Sequence, residues 1–282
     1  MSVPEFKDLG KSARDVFRTG YHFDKATLKL SGGPRVVGVE ADASFDLKTF
    51  TCGFLGKYDA EKYGAFRVNY TNNGLAVGEY HLKGLLSESV DVNAGVSINP
   101  AESFNSCRLG AKFHNALLHA TCSVTKDFDR NVELGSSGVL KLSNLFVGYQ
   151  ASFDTNSSKI TKNDVGLAVE HGPASLHFRC IQIPRELGIS VFYRVNDKVD
   201  VALDAKTASG DEARLWYAGA GLAYQLDEQC KLRMKLDKNC QLATSMQFRA
   251  QDNLLLTLGF SLDLGSPRSG QHRVGLGIDV EV

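Results

Sequence analysis

The sequence predicts an all-β fold, a transmembrane β-barrel built as one antiparallel meander with a short helix at its N-terminus. Three observations carry this prediction. Almost everything after residue 21 alternates apolar and polar side chains, in segments of about ten residues, as a strand with one face on lipid and one on water requires. Turn-forming clusters separate the segments at roughly twelve- to seventeen-residue intervals, too closely for crossovers between parallel strands. No run of about eighteen apolar residues occurs, so no helical span is expected.

The first element is amphipathic. Asp8-Leu9-Gly10-Lys11-Ser12-Ala13-Arg14-Asp15-Val16-Phe17 reads as a helix placed near residues 5–18, and Gly20-Tyr21 closes it. The expected division is a pore-helix segment, residues 1–20, and a barrel, residues 21–282.

The strands follow in order. Val39, Ala41, Ala43, Phe45 and Leu47 alternate with Glu40, Asp42, Ser44, Asp46 and Lys48. Successive strand side chains point to opposite faces, so one face is apolar and the other charged. The same holds for Val90, Val92, Ala94, Val96 and Ile98 against Asp91, Asn93, Gly95, Ser97 and Asn99. It recurs along residues 187–195 and 199–206, and in Leu254–Leu264. The last strand sets Val274, Leu276, Ile278, Val280 and Val282 against Arg273, Gly275, Gly277, Asp279 and Glu281. Turns are expected at Ser31-Gly32-Gly33-Pro34, Asn72-Asn73-Gly74, Asn99-Pro100, Gly135-Ser136-Ser137-Gly138, Ser209-Gly210-Asp211 and Gly265-Ser266-Pro267. Closing the meander removes edges that lipid would not tolerate. A soluble lipocalin-like barrel of about eight strands would use only half of the chain, and a single larger meander cannot fill its own interior with side chains.

Composition narrows the function. Lysine plus arginine (32) equals aspartate plus glutamate (32), which argues against nucleic-acid binding by bulk positive charge. The six cysteines form no C-x-x-C pair and read as isolated thiols. The seven histidines lack metal-ligand spacing, and no catalytic constellation stands out, so the expectation is no metal and not an enzyme. The N-terminus has neither a secretory apolar core nor the acid-free, Arg-rich character of a presequence.

The N-terminal stretch, Asp8 to Phe17 followed by Gly20-Tyr21, resembles that of the mitochondrial porins, the voltage-dependent anion channels. So do Lys62-Tyr63-Gly64, Gly148-Tyr149-Gln150 with Phe153-Asp154-Thr155, and Tyr224-Gln225-Leu226-Asp227. The tail Gly270-Gln271-His272-Arg273-Val274-Gly275-Leu276-Gly277 resembles the family's terminal strand. Arg273, Gly275, Ile278 and Val280 resemble the signal read by outer-membrane insertion machinery. The porin signature starting at Tyr224 is only partly kept: Asp227, Lys235, Leu236 and Asp237 fit, whereas Glu228, Cys230, Met234 and Lys238 depart. The chain thus resembles a diverged paralogue.

The resemblance implies nineteen strands, a mitochondrial outer-membrane location, and passage of ions and small metabolites including nucleotides. It places the helix inside the pore, with Lys11, Arg14, Asp15 and Arg18 lining it beside Glu40, Asp42, Asp46 and Asp91. Lys11 matches a nucleotide-linked lysine of the family, whereas Thr19 stands at the second such position and Arg18 one place earlier. NAD-contact segments match Gln241-Leu242-Ala243 and Gly259-Phe260-Ser261-Leu262-Asp263, without any Rossmann fingerprint. No cofactor is required; ATP or NAD would bind weakly. Membrane lipids, further copies of the chain, hexokinase and Bcl-2-family proteins are the implied partners. Val68 stands where many members carry a lipid-facing glutamate. That loss and the diverged signature motivate an alternative function, a transport-poor barrel for docking or regulation. The acids at 40, 42 and 46 oppose bases around 231–235, so the expected selectivity is weakly anionic or cationic.

Overall fold

The computed structural model describes residues 3–33, 37–46, 49–60, 64–84, 89–100, 104–128, 132–209, 214–268 and 272–282. Pro34, Leu47, Lys48, Lys62, Tyr63, Gly210, Asp211, Gly270 and Gln271, named above, lie outside them. Among the described residues, nineteen strands form one closed sheet, as expected. They are β1 (Lys25–Gly32), β2 (Val37–Asp46), β3 (Phe50–Ala60), β4 (Gly64–Thr71), β5 (Ala76–Lys83), β6 (Val90–Asn99), β7 (Phe104–His114), β8 (Leu118–Asp127), β9 (Val132–Leu142) and β10 (Leu145–Asp154). Then come β11 (Lys159–His171), β12 (Ala174–Ile181), β13 (Glu186–Asn196), β14 (Val199–Ser209), β15 (Arg214–Gln225), β16 (Cys230–Asp237), β17 (Gln241–Gln251), β18 (Leu254–Asp263) and β19 (Arg273–Glu281). Consecutive strands pair antiparallel. With an odd number, the closing pair must be parallel, and β1 meets β19 from Ala26↔Leu276 to Ser31↔Glu281.

Cross-strand partners share a face, so the register sorts every side chain. Leu28, Ala43, Cys52, Phe54 and Tyr70 fall on the outer face, as do Val92, Val191, Leu256 and Leu276. Phe45, Phe50, Phe54, Tyr58, Phe66 and Tyr70 are all exposed there. Water would penalise that belt, whereas hydrocarbon would not. The lumenal register holds Lys29, Asp42, Glu79, Arg108, Asp200 and Arg233.

Two expectations change. Gly135-Ser136-Ser137-Gly138 is no turn; it lies inside β9 and pairs with both β8 and β10. The lumenal Thr121 and Ser137 hydroxyls bond at 2.7 Å, and ladders on both sides override local turn preference. The N-terminal helix is also interrupted. A 3₁₀ turn, Phe6–Asp8, precedes the helix α1, Lys11–Arg18, and Gly10 between them has φ 67°. That conformation favours glycine, and a Cβ here would also collide with the His177 ring.

Candidate functional site

The lumen is not uniformly polar. Val139, Phe146, Ala168, Phe192 and Ala202 point inward from β9, β10, β11, β13 and β14 yet are buried. The N-terminal segment covers them. Val3, Phe6 and Leu9 pack on Val139, Phe146 and Ala168. Ala13, Val16 and Phe17 of α1 pack on Phe192 and Ala202. Burying each large side chain contributes about 1.5–3 kcal/mol in a water-filled lumen. Gly148 and Gly221 leave the room: a Cβ on the first would meet Phe6 at 2.7 Å, and on the second Val16 at 2.9 Å. Sequence reading passed over these five wall residues. Their signal was legible as adjacent apolar pairs that break alternation, such as Val139-Leu140 and Phe146-Val147.

Polar contacts fasten both ends of the segment. Lys112 Nζ donates to Glu5 at 2.6 Å, and Lys7 pairs with the same carboxylate at 2.9 Å. Burial raises the Glu5 pKa, but the two ammonium groups outweigh it and hold the carboxyl at about 2. At the C-terminal end of α1, Lys235 Nζ donates to the Phe17 carbonyl at 2.7 Å, where the helix dipole favours a cation. The same ammonium lies 4.1 Å from the Tyr21 ring centroid. Ser245 Oγ donates to the Gly20 carbonyl, and the Asp24 N–H donates to Val274 O at 3.0 Å. Beside this clamp, Gly275 and Gly277 face inward against His22. A Cβ on Gly275 would overlap the His22 carbonyl. Burial, with Lys25 nearby, lowers the His22 pKa.

The expected lining residues divide into groups. Lys11, Asp15 and Arg18 are exposed on the lumenal side of α1, while Arg14 is half-buried and donates Nη2 to the Lys7 carbonyl at 2.5 Å. Glu40 is bonded to Lys57 and lies 3.5 Å from Lys29. Asp42 stands opposite Lys29 and Asp46 opposite Lys25. Asp91 stands between Lys83 and Lys112. Each of these four acids therefore faces a lysine, which the linear sequence did not reveal. The lumenal Arg194 bonds Asp200 at 3.1 Å while its side chain stays 59% exposed.

The two dinucleotide segments are brought together. Gln241 pairs with Asp263, Leu242 with Leu262 and Ala243 with Ser261. Gln241, Ala243, Gly259, Ser261 and Asp263 face the lumen, whereas Leu242, Phe260 and Leu262 share the outer face. Of these inward five, Ala243, Gly259 and Ser261 are buried, so only Gln241 and Asp263 present surface to a solute in the pore. Lys11 does not join them. It begins α1 near β12, where Ser12 Oγ bonds Ser175 Oγ at 3.1 Å, while the other end of the helix meets Lys235 and Gly20 just beyond it meets Ser245.

Comparison with known proteins matches this architecture. The eukaryotic porin family profile matches residues 2–275. The voltage-dependent anion-selective channel of Drosophila melanogaster is 29% identical, covering all of both chains. The non-selective voltage-gated ion channel VDAC2 of Xenopus laevis is 25% identical, and VDAC3 of Rattus norvegicus 28%, each over 99% of both chains. A closed barrel with a charged interior, an N-terminal helix on the inner wall and an end-to-end match together place the chain in the eukaryotic porin family.

Proposed function

We propose that the protein is a diffusion channel of the mitochondrial outer membrane, passing ions and small metabolites, nucleotides among them. The observation that carries this reading is a nineteen-stranded barrel whose inner face is charged and solvent-reaching. Barrels of sixteen to eighteen strands already leave an aqueous channel. The helix narrows that channel on one side, where Lys11, Asp15 and Arg18 meet passing solutes. Charges in a confined, low-dielectric ring bias ions more strongly than charges on an open surface.

Selectivity is weak in this reading, because the acids of β2 and β6 stand opposite lysines of the neighbouring strands. Nucleotide phosphates use Lys11, and a dinucleotide meets only Gln241 and Asp263 of the five inward residues, and loosely. No cofactor is needed, and transport involves no covalent step. Hexokinase, Bcl-2-family proteins and further copies of the chain are the partners to test first. Purified protein in planar bilayers provides the test: large stepwise conductance is expected. A reconstituted barrel with no conductance steps would overturn the channel reading and favour the docking role.

A further inference from the structure

The outer wall carries a groove that the channel function does not use. It is apolar, has a volume of about 340 Å³, and is bounded by Phe178, Leu187, Ile189, Ala205, Thr207 and Trp216. Its origin is a run of small side chains. Ala205 lies between Ile189 and Ala218 in the ladder, and Thr207 lies between Leu187 and Trp216. Trp216 stands out from the wall, 58% exposed. The resulting trough runs inward from one rim of the barrel, since Leu187 and Trp216 lie near the starts of their strands and Thr207 near the end of its own.

That rim is basic. Lys238, immediately after β16, holds its ammonium 4.0 Å from the Trp216 ring centroid. Arg185, immediately before β13, is exposed on the same rim on the other side of the groove, with Nη1 3.2 Å from Gln182 Oε1. Among the described residues no ion pair to either cation is found. Aromatic side chains with one apolar and one polar side mark the headgroup level of a membrane, and long basic side chains reach that level.

We propose that this groove is a binding site for an anionic phospholipid, its phosphate held between Arg185 and Lys238 and one acyl chain lying along Ala205 and Thr207 against Trp216. A zwitterionic lipid fits the groove but gains less from the two cations. Each cation near an anionic headgroup enriches it by about fivefold.

Trp216 is the single tryptophan of the chain, so its fluorescence reports the groove alone. The full-length protein is reconstituted into phosphatidylcholine vesicles containing the same small fraction of acyl-brominated phosphatidylglycerol or acyl-brominated phosphatidylcholine. Quenching, expressed relative to unbrominated vesicles of matching headgroup composition, should be severalfold stronger with the brominated phosphatidylglycerol. The Arg185→Gln/Lys238→Gln variant should lose that excess, and Ala205→Leu, which fills the trough, should lower quenching by both lipids. Equal quenching by the two lipids in the parent protein, or an excess unchanged in the double variant, would overturn the site. Undiminished quenching in Ala205→Leu would overturn the trough as the seat of the acyl chain.

Discussion

The two halves of the barrel wall obey the alternation rule differently. From β1 to β6 it holds almost without exception: the outer face is aliphatic and aromatic, and the inner face is charged or polar, with Leu55, Ala65 and Val77 the apolar residues turned inward. From β9 to β14 the inner face contains a bed of Val139, Phe146, Ala168, Phe192 and Ala202, and there the N-terminal segment lies. An inward apolar residue in a water-filled barrel is a cost unless something covers it. A break in the pattern therefore marks where an internal element rests.

The largest effect that can break this contrast lies in the bed. Phe17→Ala should cost α1 docking about 3 kcal/mol, seen as faster amide exchange across residues 11–18. Leu55→Ala on the bare wall should leave that exchange unchanged. Equal effects from the two variants would dissolve the distinction between the walls.

Next comes the closure seam. Gly275 was expected to act as part of an insertion signal, yet its missing side chain also makes room for His22. Gly275→Ala should lower the temperature at which the purified barrel loses its folded migration on gels, whatever happens in import. Ile278→Asp, on the outer face, tests the address more cleanly. It should block insertion of the barrel into its membrane, and normal assembly would show that the terminal strand is not the address.

A smaller effect follows from Glu5. Its carboxyl is held near 2 by Lys112 and Lys7, below its ordinary value near 4.5. A group with a lowered native pKa contributes its full stability above the ordinary value and loses it as pH falls toward the native one. N-terminal fastening should weaken between about pH 4.5 and 2 in the parent protein. In Glu5→Gln, amide exchange of residues 5–9, compared with a β1–β6 reference, should lose that dependence.

The smallest change is in selectivity. Neutralising Glu40, Asp42 and Asp46 releases Lys25, Lys29 and Lys57 from their opposing charges. Reversal potentials in a salt gradient should move modestly toward anions. Screening over about 8–10 Å limits the shift, and a move toward cations would contradict the pairing of these charges.

The strands were legible because the period of two persists over whole segments, and a slip of one residue would invert both faces. The nineteen-strand count came from resemblance. Gly135–Gly138 misled because a glycine- and serine-rich stretch reads locally as a turn, whereas the pairing that straightens it comes from strands on either side. The lumenal phase of Glu40, Asp42 and Asp91 was legible too. Their lysine partners were not, because the register between strands is set by the closed ladder and not by spacing along the chain. The helix was legible in position but not in its break, since the collision that keeps Gly10 small comes from His177 on a distant strand.

The parallel seam gives assembly a terminal checkpoint. The partner that β1 needs on its open side is the last strand to be made. A chain halted before residue 273 would expose two unpaired strand edges, and such edges cannot rest in hydrocarbon. Whatever inserts this barrel must shelter the first strand until the last arrives. A truncated product is barred from the bilayer by its geometry, before any protease has to recognise it.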